Sequence, residues 1–353
     1  MSDIMTTAAR GASVIPTGLR IAFYTLGIGL ALIHTFISFR GLRSETGMDH
    51  AQMARELART GELNTRVIPP YAWAQLENRG VTPNAHAFPA TFHPPLPSLI
   101  EAALFLPLKK WWDYQPSTGN SIYLLDRVVA CFGVLLLLGT IYFTHGTARV
   151  IFDEKVAAVA AASLMVSGPF WDLAVSGSSV VIVLFEVALA VRLWVGARNS
   201  MEEDEPVGAT MMAVGLILAA MVMTHWMAIS LVIALISATV FFMPGRRSTA
   251  LVLAAPPLVV LVAWGWHNLQ LTGDPLGAAK AFFQTLIVGG RPDDLLRDFS
   301  MNAPGVQMDL LVRGTGIHWQ SQLGRWIVLT GSVIPALAGL AAFVHPFRRT
   351  IAG

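Results

Sequence analysis

Eight long apolar runs, almost free of charge, limit what this chain can become more than any other feature. In hydrocarbon every unpaired backbone N–H or C=O costs several kcal/mol, so such a run is expected to be a helix of about 20 residues. The runs cover residues 21–39, 128–143, 156–171, 179–191 (extended through 193–196), 208–223, 227–243, 250–266 and 326–344. The first is bracketed by Arg20 and Arg40 and shows no small-residue cleavage site, so it reads as a retained signal anchor. A further stretch, 94–108, carries several prolines and Glu101. It is too short to cross comfortably and suits a helix lying at the interface.

Composition agrees. Only 13% of the residues are charged while 54% are hydrophobic, against about 25% charged in an ordinary soluble domain. These charges cannot cover a water-exposed particle of this size. Disordered, collagen-like and disulfide-stapled classes are excluded by the same figures. A net charge of +2 gives no electrostatic case for nucleic acid. The single cysteine, Cys131, lies inside an apolar run, so an intramolecular disulfide is ruled out.

The basic residues set an orientation. With eight spans and both termini inside, Arg10, Arg20, Arg149, Lys155, Arg192, Arg198, Arg246, Arg247, Arg348 and Arg349 all fall on the cytoplasmic side. The short opposite loops, 172–178 and 224–226, contain no Lys or Arg. The expected organisation is a cytoplasmic N-terminus over 1–20 followed by one all-α transmembrane domain over 21–353. Two long segments then face outward, 40–122 and 267–325, and they hold most of the residues able to do chemistry. The acidic group Glu202-Glu203-Asp204-Glu205 reads as a solvated cytoplasmic turn. Glu186 is the one acid deep within a span, either a functional group or a hydrogen-bonded contact between helices.

The first outward segment opens with Gly47-Met48-Asp49-His50 and continues to Gly61. Ala51, Ala54, Leu57 and Ala58 follow helical spacing, which predicts an amphipathic helix on the membrane surface ended by Gly61. Asp49 falls at the start of that helix. It either caps the helix or presents a carboxylate able to take a proton or bind a metal ion. Downstream, Phe92-His93-Pro94-Pro95-Leu96 combines an extended approach with a rigid helix start, fixing His93 beside the bilayer.

These elements together resemble the C-type membrane glycosyltransferases, a superfamily that includes protein mannosyltransferases and the aminoarabinose transferase of lipid A. The resemblance rests on the acid at the head of the first loop helix, the Ala-Arg-x-Leu-x-x-x-Gly continuation and the His-Pro-Pro-Leu element. It continues through Asp126-Arg127, the turn at 147–152, Met223-Thr224-His225 and Trp266-His267-Asn268 with Thr272-Gly273-Asp274-Pro275. It thus runs in order over roughly residues 20–280. The family commonly has Asp-Glu where this chain has Asp49-His50, and lysine where it has His225. A further family aspartate precedes the fourth span, whereas here the nearest acid is Asp172, about two helical turns away toward the preceding span.

The resemblance implies transfer of a sugar from a polyprenyl-phosphate carrier to an acceptor on the outer face of a bacterial-type cytoplasmic (inner) membrane. It implies Asp49 as the catalytic base or a metal ligand, and His93, Arg127 and His225 as partners of the donor phosphate. A divalent cation, Mg2+ or Mn2+, would be held by Asp49 and Asp172. His50 takes the place of the second acid, at a position suited to the sugar or acceptor. His318-Trp319, in the second outward segment, either lines a sugar site by stacking and hydrogen bonding or anchors the chain at the interface. Membrane lipid and other membrane subunits are the remaining expected partners. A rival reading from another class is a non-catalytic relative, serving as a subunit or lipid-binding scaffold of a larger membrane complex. A transporter finds no support from repeats or a charged pathway. Lys109-Lys110-Trp111-Trp112 reads as an interfacial anchor, Asp293-Asp294 as a helix N-cap region, and Pro256-Pro257 as a kink.

Overall fold

A computed structural model describes residues 17–111, 122–203, 205–243 and 246–280. The eighth apolar run, Trp112, Asp293-Asp294, His318 and Trp319 lie outside the described residues. The described architecture is helical apart from one two-residue strand pair.

The chain begins with α1 (Thr17–Leu32), which passes into a π-helical turn at Ile33–Ser38. Next come α2 (Glu45–Thr60), β1 (Asn64–Thr65), α3 (Pro70–Asn78), β2 (Phe88–Pro89) and α4 (Leu96–Phe105), the last running into a 3-10 turn at Leu106–Trp111. Then follow α5 (Leu124–Ile151), α6 (Glu154–Val166), α7 (Gly168–Val175) and α8 (Val180–Glu202). The described part closes with α9 (Gly208–Thr224), α10 (Ala228–Phe242) and α11 (Arg246–Thr272).

The protein is all-α and membrane-embedded, and the first seven apolar runs each coincide with helix. The expected number of spans is not reached among the described residues. Four helical segments are long and apolar enough to cross, namely Ile21–Ser38, Leu124–Ile151, Val180–Glu202 and Ser248–Thr272. The pair α6 and α7, bent by 59°, makes a fifth if counted as one broken span. Helices α9 and α10 have 17 and 15 residues. At about 1.5 Å per residue they fall short of a hydrocarbon layer about 30 Å thick. These helices fill their uncharged runs, 208–223 and 227–243, almost end to end, so the runs themselves are short for a span.

Close packing of the long helices depends on small residues. A Cβ on Gly133 of α5 would stand 2.0 Å from the Ala174 carbonyl oxygen of α7. Helix α11 runs unbroken through Pro256 and Pro257, where the sequence suggests a kink. Proline lacks the N–H that would pair four residues back, so the carbonyls of Val252 and Leu253 lose their usual partners. Gly215 of α9 packs at that point, where a Cβ would lie 3.0 Å from both the Leu253 oxygen and Pro256 Cγ. By contrast α1 stands apart, with 11% of its apolar window buried against 50% for α5.

The chain's loops sort to two ends. At one end the Ser44 N–H donates to the Ser176 carbonyl at 3.3 Å and Gln75 Nε2 donates to the Gly277 carbonyl at 3.1 Å. Trp226 Nε1 donates to the Phe92 carbonyl at 2.8 Å, also at that end. Segments that the orientation analysis puts outward are therefore in mutual contact. In the charge-rich connections His145 and Arg149 face Glu154, and Arg198 faces Glu202.

Candidate functional site

Helix α2 carries the first two site residues. Ser44 is its N-cap, accepting from the Gly47 N–H at 3.3 Å, and Gly61 ends it in the left-handed conformation at φ 80°. The expected C-terminus holds; of the two readings of Asp49, the capping one does not. Ser44, five positions upstream, takes that role, which leaves Asp49 in the second turn. Its face packs against α4 and α5 through Ala51, Ala54, Ala102, Leu125 and Val129. Asp49 and His50 are buried along with these alanines.

Burial of Asp49 is matched by specific partners. Thr65, on the short β1 strand, donates its hydroxyl to Asp49 Oδ1 at 2.6 Å. The other carboxylate oxygen faces His93 Nε2 at 3.6 Å. His50 turns the other way, with Nδ1 3.1 Å from the Ser98 hydroxyl of α4. The His50 and His93 rings lie 5.0 Å apart, and Phe92 packs edge-on to His93 at 4.6 Å. Trp226 holds the Phe92 carbonyl, which brings the turn after α9 against the same cluster. In that turn the Met227 N–H donates to His225 Nδ1 at 3.1 Å, so a neutral His225 carries its proton on Nε2.

Burial sets the charges. It pushes the Asp49 carboxyl up to about 6, with the Thr65 hydrogen bond pulling down and Glu45 pushing up. It holds His93 down at about 4, helped by His225, and His50 well below the usual imidazole range, helped by His93 and His225. His225 is lowered by burial alone. At neutral pH the cluster is one carboxylate among three uncharged imidazoles. Those rings offer neutral N–H donors and acceptors rather than the positive charge expected for binding phosphate.

The other expected residues lie elsewhere. Arg127, in the first turns of α5, holds its guanidinium over the Phe36 ring at 5.7 Å, and its buried Nε has no hydrogen-bond partner. Asp172 is exposed on α7. Among the described residues no group of three His, Cys, Asp or Glu side chains could hold a metal ion. Asp49 and His93 are only two donors, and three neutral imidazoles beside one carboxylate do not match the oxygen-rich set that Mg2+ prefers. The described residues of the cluster do not fit the implied divalent cation.

Sequence reasoning missed Thr65 and Ser98, which reach the cluster from 16 and 48 residues away. A β-branched Thr on a two-residue strand carries no local signal. It also missed the partners of Glu101, which is fully buried on α4 with Oε2 unpartnered. Burial holds its carboxyl well above the usual range; Asp126 adds to this and Arg55 opposes it. Arg55 in turn lies over the Tyr123 ring at 5.1 Å. The first residues of the second outward segment close over α3, where Asn268 is buried and Lys280 pairs with Asp274 at 2.7 Å. No family model, curated protein or solved structure matches the chain.

Proposed function

We propose that this protein is a membrane glycosyltransferase of the C type, moving a sugar from a polyprenyl-phosphate carrier to an acceptor hydroxyl. In this reading the membrane is a bacterial-type cytoplasmic membrane, both termini are cytoplasmic, and the end bearing Asp49 faces outward. Helices α9 and α10 are short crossing helices, and 326–344 completes eight spans. The observation that carries the reading is Asp49. It is a buried carboxylate charged only above about pH 6, oriented by Thr65 and flanked by His93. A group with this pKa is poised to act as a general base near neutral pH.

The step balances without a metal ion. Asp49 accepts the proton of the acceptor hydroxyl as its oxygen forms a bond to the anomeric carbon. The bond from that carbon to the donor phosphate breaks, and its electron pair stays on the polyprenyl phosphate. Neutral His93 and His225 each supply one N–H to the departing phosphate oxygens. The polyprenyl tail lies along exposed apolar helix faces such as that of α1.

A second reading, a non-catalytic scaffold or subunit, is favoured by one observation: among the described residues Asp49 has no second carboxylate beside it in a metal-binding set. The two separate in one experiment, in which full-length protein in lipid nanodiscs is given polyprenyl-phosphate sugars and candidate acceptors. Transfer by the wild type and its loss in Asp49→Asn are expected. Equal transfer by the variant removes Asp49 from the mechanism. No turnover with any donor, together with co-purifying membrane subunits, establishes the scaffold.

A further inference from the structure

Glu186 plays no part in the step just described, yet it lies in the middle of α8 with its side chain nine-tenths buried. Its Oε1 is 2.9 Å from Thr224 Oγ1, at the C-terminal end of α9. Thr224 Oγ1 is also 2.9 Å from the Ala220 carbonyl one turn back. A hydroxyl has one proton and cannot donate to both. A carboxylate oxygen and a carbonyl oxygen can each only accept, so with Glu186 ionised one of these two 2.9 Å contacts carries no proton. Both contacts are hydrogen bonds when Glu186 carries a proton and donates it to Thr224, which then donates to Ala220. Oε2 is buried without a partner, a tolerable condition for the carbonyl oxygen of an acid and a costly one for a carboxylate. None of the ion pairs among the described residues involves Glu186. Helix α9 carries no titratable side chain, and the nearest such group beyond it is His225.

We infer that Glu186 is a neutral hydrogen-bond latch that ties α8 to the last residue of α9 and thereby positions the turn carrying His225 and Trp226. The linkage is short and continuous. Thr224 is followed directly by His225 in extended conformation, and then by Trp226, whose indole N–H grips the Phe92 carbonyl beside His93. Glu186 is thus a positioning residue for the Asp49 cluster; its catalytic meaning rests on the glycosyl-transfer reading, while its geometry does not.

The latch makes an unusual demand: the acid is replaceable by its amide but not by a smaller side chain. Glutamine retains an N–H to donate to Thr224; alanine does not. The test uses full-length protein in nanodiscs, with Glu186→Gln, Glu186→Ala and Thr224→Val. Infrared spectra of wild type minus Glu186→Gln at pH 7.5 are expected to contain a protonated-carboxyl band. Carboxylate bands there would overturn the inference. Hydrogen exchange followed by mass spectrometry is expected to speed up severalfold at both 222–228 and 88–97 in Glu186→Ala and Thr224→Val, with Glu186→Gln matching wild type. Faster exchange confined to α8 and α9, or a glutamine variant behaving like alanine, would overturn it. Should Glu186→Ala fail to fold, Thr224→Val carries the exchange comparison. Neither readout involves sugar transfer, so failure here is distinct from failure of the proposed function.

Discussion

Asp49 and Glu186 are two buried carboxyl groups, each set against a threonine hydroxyl, and they are put to opposite uses. Thr65 sits 2.6 Å from Asp49, and Thr224 sits 2.9 Å from Glu186. The difference lies in what else each threonine does and in what stands behind the acid. The Thr65 hydroxyl proton is directed to Asp49, whose second oxygen has His93 at 3.6 Å. In the latch Thr224 gives its proton to its own helix, and the second oxygen of Glu186 has no hydrogen-bond partner. The first site can hold a negative charge at neutral pH, while the second is built for a neutral acid. Burial alone therefore does not mark a catalytic carboxyl. The direction of the neighbouring hydroxyl does.

The largest expected effect to separate the two sites is on transfer. Asp49→Asn should lower it by about 10²- to 10⁴-fold, the usual worth of a positioned base, while Glu186→Gln should stay within about twofold. Rate measurements on the two variants side by side would break the comparison if both lost activity equally.

Stability should run the other way for Asp49. Its folded pKa of about 6 lies above the ordinary aspartate value of 3.8. Folding therefore favours the protonated form, and the contribution is lost as pH rises through about 6. By pH 7 the charge costs up to roughly 3 kcal/mol. Asp49→Asn should unfold at higher temperature than wild type at pH 7, and the gap should narrow toward pH 4. A carboxylate kept only for its bond to Thr65 would give the reverse.

The threonines should rank by the charge of their partners. Thr65→Val removes a bond to a charged group and should cost about 1.5–3 kcal/mol, raising the Asp49 midpoint further. Thr224→Val removes a neutral bond and should cost about 0.5–1.5 kcal/mol. Chemical denaturation of both variants at pH 7.5 checks the order. The smallest effect should come from His93→Gln. The lowered pKa of His93 gives stability that is full above about pH 6.5 and fades as pH falls toward 4. Replacing it should make acid destabilisation shallower, by under about 1 kcal/mol at pH 6.

Much of the scaffold was legible because bilayer helices declare themselves by composition, and Gly61 declares a helix end by its freedom at positive φ. Span count was less legible, since α9 and α10 fill their uncharged runs and still fall short of the thickness of a bilayer. At the site, Asp49 stood out at the head of a loop helix, while His50, His93 and His225 were named through the family resemblance. Their protonation could not be read, since it depends on burial between helices far apart in the chain. Asp49 had capping as one of its two readings because it falls near the head of the loop helix; Ser44 begins the helix earlier and sets Asp49 in the second turn. Thr65 and Ser98 stayed hidden because a lone hydroxyl gains meaning only from what the fold sets against it.

The most direct test of the account is the pH dependence of sugar transfer between pH 5 and 8, measured on wild type and Asp49→Asn in the same nanodiscs. Transfer by the wild type should rise with pH through a midpoint of about 6, and the variant should show a low residual rate with no such rise. A variant that transfers as fast as wild type, with the same pH profile, would contradict the assignment of Asp49 as the base.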